Sequence, residues 1–127
     1  MLYTYHYRLY PTPAQEILCN KHFGCNRFVY NYFLYKRVKD YHETGKGSTY
    51  LQDAAQLPNL KASAEWLWEA GSQSLQYVLK CLQTAYERFF KKLSKFPKRK
   101  KKFKRDSFRI AQNIKLIGDR LVIPKFL

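Results

Sequence analysis

The sequence predicts an α+β fold in which a helical body is inserted into a small β-sheet, and three observations carry that reading. The start of the chain alternates with period two, the middle carries apolar residues at helical spacing, and the end holds short β-rich runs around a Gly-Asp pair. The expected divisions are a first strand over 1–11, helices over 12–94, a basic loop over 95–106 and returning strands over 107–127.

In the first strand, Tyr3, Tyr5, Tyr7 and Leu9 point one way, and Leu2, Thr4, His6, Arg8 and Tyr10 the other. Pro11 ends it. Thr12 as N-cap, Pro13 at the first helical position and Gln15 three residues past the cap then start a helix. That helix is expected from Pro13 to about Glu43, stopped by Gly45, with Ile17, Leu18, Phe23, Phe28, Val29, Tyr32, Phe33 and Val38 as its apolar face. Gly24 inside it predicts a close approach or a bend. A short helix over Leu51–Leu57 is expected to break at Pro58, before a turn or two over Glu65–Glu69 that anchors Trp66 and Leu67 in the core.

Leu75, Val78, Leu79, Leu82, Tyr86, Phe89 and Phe90 recur at three- and four-residue steps, which predicts a helix from Ser72 to about Leu93. Trp66, Phe28 and Phe89 are expected in the core. Beyond, Ser107–Ile110, Ile114–Ile117 and Arg120–Ile123 read as strands, the last two joined by a hairpin turn at Gly118-Asp119. The first and last strands are expected to meet in one sheet.

Charge is concentrated. Across 127 residues Lys and Arg number 24 against 9 acids, a net of +15. Ten of the fifteen residues from Lys91 to Arg105 are basic and none is acidic, so the rest of the chain carries only +5. Such a block repels itself unless a polyanion lies against it. Phe96 and Phe103 interleave the charges, which suits phosphate tracking with stacking on bases. The favoured partner is nucleic acid. A solvated loop is the bland alternative, and an anionic membrane is disfavoured because no amphipathic basic helix contains the block. With 46% hydrophobic and 17% aromatic residues, the chain has the material for a packed core.

Catalytic chemistry finds little support. The nine acids are scattered, and no phosphate-cradling glycine loop, nucleophile elbow or zinc-hydrolase motif is present. Cys19, Cys25 and Cys81 are odd in number and form no CxxC pair, so reduced thiols are expected. His22 lies three residues from both Cys19 and Cys25, but a helical metal site there would need a fourth ligand from elsewhere. The expectation is no catalytic residue, no metal, no cofactor and no small-molecule substrate. No run approaches the ~20 apolar residues of a membrane span, and the first residues lack a secretory h-region, so a cytoplasmic, prokaryotic location and no membrane partner are expected.

Several segments together resemble the N-terminal part of the TnpB/OrfB proteins of bacterial insertion sequences. They are Tyr7-Arg8-Leu9-Tyr10-Pro11-Thr12, then Phe23-Gly24-Cys25-Asn26-Arg27-Phe28-Val29-Tyr30-Asn31, then Trp66-Leu67, Ser74-Leu75-Gln76 and Ala85-Tyr86 with Phe89-Phe90. Phe96-Pro97-Lys98, Ser107-Phe108-Arg109, Asn113-Ile114 and Ile123-Pro124-Lys125 complete the order. The resemblance implies a wedge of β-strands, barrel-like, with a helical recognition lobe inserted (long helix, short helices, second long helix). It also implies an RNA-guided DNA endonuclease related to type V CRISPR effectors, whose wedge and lobe bind guide RNA and motif-bearing duplex. The RuvC-like carboxylates and zinc ribbon of that family are absent before Leu127, so cleavage is not expected of this chain.

Residue roles follow from the resemblance. Tyr50 and Gln76 match positions that approach DNA bases, and Gln is able to pair bidentately with adenine. Ser72, beside Gly71, departs from a more polar pair in relatives. Asn113 is either a base contact or a turn residue. Arg27 and Asn31, one helical turn apart, either grip phosphate or bond the lobe to the sheet. Arg109 belongs to the same set. Lys98, Arg99, Lys100, Lys101, Lys102, Lys104 and Arg105 are expected to make the salt-dependent phosphate contacts. The competing readings are a free-standing helix-turn-helix DNA-binding regulator of a transposable element, and an inactive or competing truncated product. Self-association through an exposed sheet edge is a further expectation.

Overall fold

The computed structural model describes residues 2–69, 72–101, 107, 109 and 114–122, with the side chains of Glu69, Ser72 and Val122 outside that description. Helix α1 spans Pro13–Thr44, α2 spans Tyr50–Ser63, a 3-10 turn spans Glu65–Glu69, and α3 spans Ser72–Phe90. Strands β1 (Lys115–Ile117) and β2 (Arg120–Val122) close the order. α1 packs chiefly on α3, α2 also lies on α3, and the 3-10 turn bridges α1 and α2.

The α1 start is the capping box read from the sequence: the Thr12 side chain accepts from the Gln15 N–H, and the Thr12 N–H donates to Gln15 Oε1 at 2.9 Å. Gly45 ends it in the left-handed region (φ 76°), donating to the Tyr41 carbonyl. The buried stripe of α1 is His22, Cys25, Asn26, Val29, Tyr30, Phe33, Leu34 and Arg37. It departs from the expected apolar face, since Ile17 and Tyr32 are exposed and Phe23, Phe28 and Val38 are only half-buried. Three of the eight buried positions, His22, Asn26 and Arg37, are polar or charged, so an apolar count along the helix points the wrong way. Gly24 allows neither a close approach nor a break: a Cβ there would meet only the Arg27 guanidinium of the same helix, at 3.7 Å.

α2 corrects the expected break at Pro58. It runs through the proline to Ser63, helped by a second capping box in which Thr49 pairs with Gln52. Losing one helical hydrogen bond at Pro58 costs about 3 kcal/mol. Burial of Leu57 and Leu60 on either side, each contributing about 1.5–3 kcal/mol, offsets it. α3 stops at Phe90 rather than Leu93. Lys92 turns left-handed (φ 61°), its N–H donating to the Phe89 carbonyl while Leu93 N–H reaches the Arg88 carbonyl, the pairing of a Schellman cap.

The core joins Cys25, Val29, Tyr30, Phe33 and Leu34 of α1, Leu57 and Leu60 of α2, Leu67, and Leu75, Val78, Leu79, Leu82 and Tyr86 of α3. Leu67 is buried as expected. Trp66 is not, with 45% of its surface exposed, and Phe28 and Phe89 are half-buried. A buried ion pair crosses this core: Arg37 Nε donates to Asp53 Oδ2 at 2.8 Å, and the same guanidinium donates to Gln83 Oε1 at 2.9 Å. Ser48 Oγ donates to the other Asp53 oxygen at 2.7 Å, and the guanidinium lies 4.9 Å above the Tyr86 ring. The Arg37 cation therefore ties α1 to α2 and α3, and its Asp53 partner ties in the loop ahead of α2.

The sheet is two-stranded and antiparallel, with Lys115 opposite Val122 and Ile117 opposite Arg120. Gly118 takes φ 61° and Asp119 does not, the type II′ pattern that accounts for the Gly-Asp order. The expected first strand does not form. Residues 2–11 are in neither helix nor strand and are exposed throughout, although Tyr3, Tyr5 and Tyr7 keep ring spacings of 6.4 and 6.3 Å along one side. Among the described residues nothing pairs this arm with β1 or β2, so the expected joint sheet is absent there. Ser107 and Arg109 are not in a strand, and Phe108, Ile110 and Ile123 of the expected strands lie outside the described residues.

Candidate nucleic-acid interface

Among the described residues, the basic segment as far as Lys101 is seated on the helices rather than standing free. Its first anchor is Phe96, edge-on to Tyr86 at 5.5 Å and to Phe89 at 5.2 Å, followed by a buried Pro97. Phe96 therefore packs on α3 and is not the free stacking ring expected of it, although 44% of its surface remains exposed. The second anchor is Asn31. Its Nδ2 donates to the Lys100 carbonyl at 3.1 Å, and its Oδ1 accepts from the Lys100 N–H at 2.8 Å. The Lys100 ammonium rests 4.7 Å from the centre of the Tyr30 ring.

Two further anchors follow. Asn26, buried on α1, donates to the Ser107 carbonyl at 3.3 Å and accepts from Ser74 Oγ of α3 at 3.2 Å. The Arg109 guanidinium lies 4.8 Å over the Tyr77 ring of α3. From Phe96 to Arg109 the anchored points thus run back along α3 from Phe89 to Tyr77, and along α1 from Asn31 to Asn26. Asn31 and Asn26 are five residues apart, about 7.5 Å of helix. The sequence between their two anchored partners holds Lys101, Lys102, Lys104 and Arg105.

Lys98, Arg99 and Lys101 are exposed, and so is Lys100 as a residue although its ammonium rests on Tyr30. Lys102, Lys104, Arg105 and Asn113 lie outside the described residues, as does Phe103. Of the remaining expected contacts, Gln76 is exposed on α3, and Arg27 is half-buried on α1. Tyr50 opens α2, half-buried, with the Lys80 ammonium 5.8 Å from its ring centre. Ser72 opens α3, its side chain undescribed. Asn31 is brought to the segment's backbone, with one bond made by each polar atom of its amide. The residues missed from sequence are the anchors Asn26, Tyr30 and Ser74. The available signal was polar residues at core spacing: Asn26, Tyr30 and Asn31 sit in one helix at intervals that put the first two on the buried stripe.

The Cys and His of α1 do not converge. His22 Nδ1 donates to the Leu18 carbonyl at 2.8 Å, and the Cys25 thiol donates to the Trp66 carbonyl at 3.7 Å. Burial, with Glu16 one turn away, raises the Cys19 thiol above its ordinary value. No helix among the described residues is long and apolar enough to cross a membrane.

Residues 1–46 match the family model of the OrfB type described as a helix-turn-helix domain. Within that span the structure holds the arm 2–11 and the single helix α1, with no second helix. The chain is 34% identical over 128 residues to the candidate RNA-guided DNA endonuclease InsQ of Escherichia coli (strain K12), covering 98% of this chain and 32% of that protein. It is 39% identical over 100 residues to a candidate RNA-guided DNA endonuclease of Streptomyces pristinaespiralis, covering 77% of this chain and 25% of the relative. The chain thus spans a third or less of the length of these curated relatives.

Proposed function

The chain belongs to the TnpB/OrfB family, matching the N-terminal part of its curated relatives, and from that premise we propose that it is a nucleic-acid-binding module that grips structured guide-type RNA and motif-bearing duplex DNA. The observation that carries this reading is the seating of the basic segment. Asn31 and Phe96 hold its backbone and apolar side chain inward, so Lys98, Arg99 and Lys101 face solvent as an ordered row of cations. Ordering the row before binding lowers the entropy cost of matching it to phosphates. Gln76 and Tyr50, on α3 and α2, supply the base contacts in this proposal. It assigns binding to this span, in which Asp53 is committed to Arg37 in the core and Asp40 pairs with Lys36 one turn away. The module acts in the cytoplasm of a prokaryotic cell, without cofactor or small-molecule substrate. The exposed Leu116, Ile117 and Leu121 of the hairpin favour self-association of the isolated chain.

A free-standing helix-turn-helix regulator is less well supported, because that mode sets a second helix in the major groove and the matched span contains one helix. The test is a titration of a structured RNA from the transposon end, with duplex DNA of equal length and unrelated RNA alongside, from low to ~150 mM salt. Preference for the cognate RNA that survives the higher salt is expected. Equal binding to every polyanion, erased by salt, would overturn the guide-RNA reading. Sequence-specific duplex binding without RNA would favour the regulator.

A further inference from the structure

Asn31 has an aromatic neighbour one helical turn away on either side: Phe28 three residues before it and Tyr35 four residues after. Tyr35 is 68% exposed and Tyr32 40% exposed. Tyr32 stacks on the half-buried Phe28 at 6.0 Å and 26°, and Trp66 buttresses Phe28 edge-on at 4.8 Å. Phe28 packs on the core margin and Tyr32 lies edge-on to the buried Phe33 at 5.1 Å, while Tyr35 stands away from the buried stripe of Asn26, Val29, Tyr30, Phe33 and Arg37. The cations near the rings are Lys21, Arg27, Lys36 and Lys39, with Lys36 paired to Asp40 and Arg37 turned into the core. From Ile17 to Lys39 α1 contains no acid, and the Asn31 clamp holds the Lys100 backbone between the Phe28 and Tyr35 turns, with exposed Arg99 and Lys101 on either side of it in sequence.

We infer that the outer face of α1 is a stacking platform on which Tyr35, Tyr32 and Phe28 receive unpaired bases of RNA while the clamped basic segment follows the adjoining phosphates. Aromatic faces exposed next to ordered cations are what single-stranded nucleic acid requires: every base offers a π-face, and the backbone supplies the charge. Duplex cannot use the rings, since its bases are already stacked. The inference rests on the nucleic-acid reading above and sharpens it to loops and bulges of the RNA.

The experiment measures fluorescence anisotropy of a labelled 12-nucleotide oligo(rA), the matching oligo(dA), and a blunt RNA duplex of equal length. Each is titrated with the full chain and with Tyr35→Ala, Tyr35→Trp and Tyr32→Ala/Tyr35→Ala variants, at several salt concentrations. Tyr35 is largely solvent-facing and Tyr32 partly so, and circular dichroism checks that the variants keep their helices. Loss of one stacked base is expected to weaken oligo(rA) binding about tenfold per ring. Duplex affinity and the slope of log K against log salt should stay unchanged, and Tyr35→Trp should retain binding. Equal loss on duplex and single strand, or no loss on either while the wild type binds both, would overturn the platform and leave the basic segment as the whole site. The second pattern would be expected if another polypeptide covers the rings. A preference for oligo(dA) would overturn the assignment to RNA. If the wild type binds none of the three probes at low salt, the nucleic-acid reading itself fails, and the platform with it.

Discussion

The Asn31 side-chain amide and the Lys100 peptide pair reciprocally, at 2.8 and 3.1 Å across 69 residues of sequence. This pair fixes the backbone of the basic run to α1 at Lys100. Asn31→Ala should remove both bonds, cost about 1 kcal/mol of stability, and abolish the hydrogen-exchange protection of the Lys100 amide. Nucleic-acid affinity should fall several-fold without a change in which sequences are preferred. Asn31→Asp still accepts from the Lys100 N–H and should keep part of that protection. Exchange measured by NMR on both variants decides it, and full protection in Asn31→Ala would refute the clamp.

Arg37 and Asp53 are both buried, 5% and 0% exposed at the side chain. Removing either partner leaves the other charge unpaired in the core, so Arg37→Met or Asp53→Ala should each cost about 3–5 kcal/mol. Replacing both at once with apolar residues should recover much of that loss, because no charge then stays behind. Urea unfolding of the two single variants and the double variant closes the cycle, and simple additivity would show that the two charges act independently.

Two backbone positions are open to stabilisation. At Gly24 a methyl group meets only the Arg27 guanidinium at an ordinary 3.7 Å, so Gly24→Ala should add about 0.5–1 kcal/mol. Lys92 holds φ 61° where glycine is at ease, and Lys92→Gly should relieve about 1 kcal/mol. Thermal unfolding at matched pH should show both midpoints rising. A fall at Gly24→Ala would mean that the helix needs glycine there for a reason outside its own packing.

Burial raises the Tyr86 phenol above the ordinary tyrosine value, with Asp53 adding to the rise and the Arg37 guanidinium opposing it; burial likewise raises Tyr30. An acid whose folded value is raised keeps its proton more tightly when folded. Its contribution to stability is then complete below the unfolded value near 10 and is lost as pH rises through the folded one. Stability should therefore decline above about pH 10. Among the described residues the Tyr86 hydroxyl has no hydrogen-bond partner. Tyr86→Phe should consequently be nearly neutral at pH 7 and flatten the alkaline decline. An unchanged pH profile in that variant would rule Tyr86 out as its source.

Local signals in the sequence determined the start of α1 at Thr12, its stop at Gly45, the apolar spacing of α3, the Gly118-Asp119 turn and the position of the cationic block. Each of these is settled within a few residues, by a cap, a left-handed glycine or a period, and needs no partner elsewhere. Tertiary structure decided the rest. It chose which face of α1 is buried, because Arg37, Asn26 and His22 are acceptable inside only when Asp53, Ser74 and a backbone carbonyl meet them there. It carried α2 through Pro58, because Leu57 and Leu60 had a core to enter. It also gave Asn31, read from the sequence as either a phosphate grip or a bond from lobe to sheet, the backbone of Lys100 as its partner, a contact across 69 residues that no local pattern encodes.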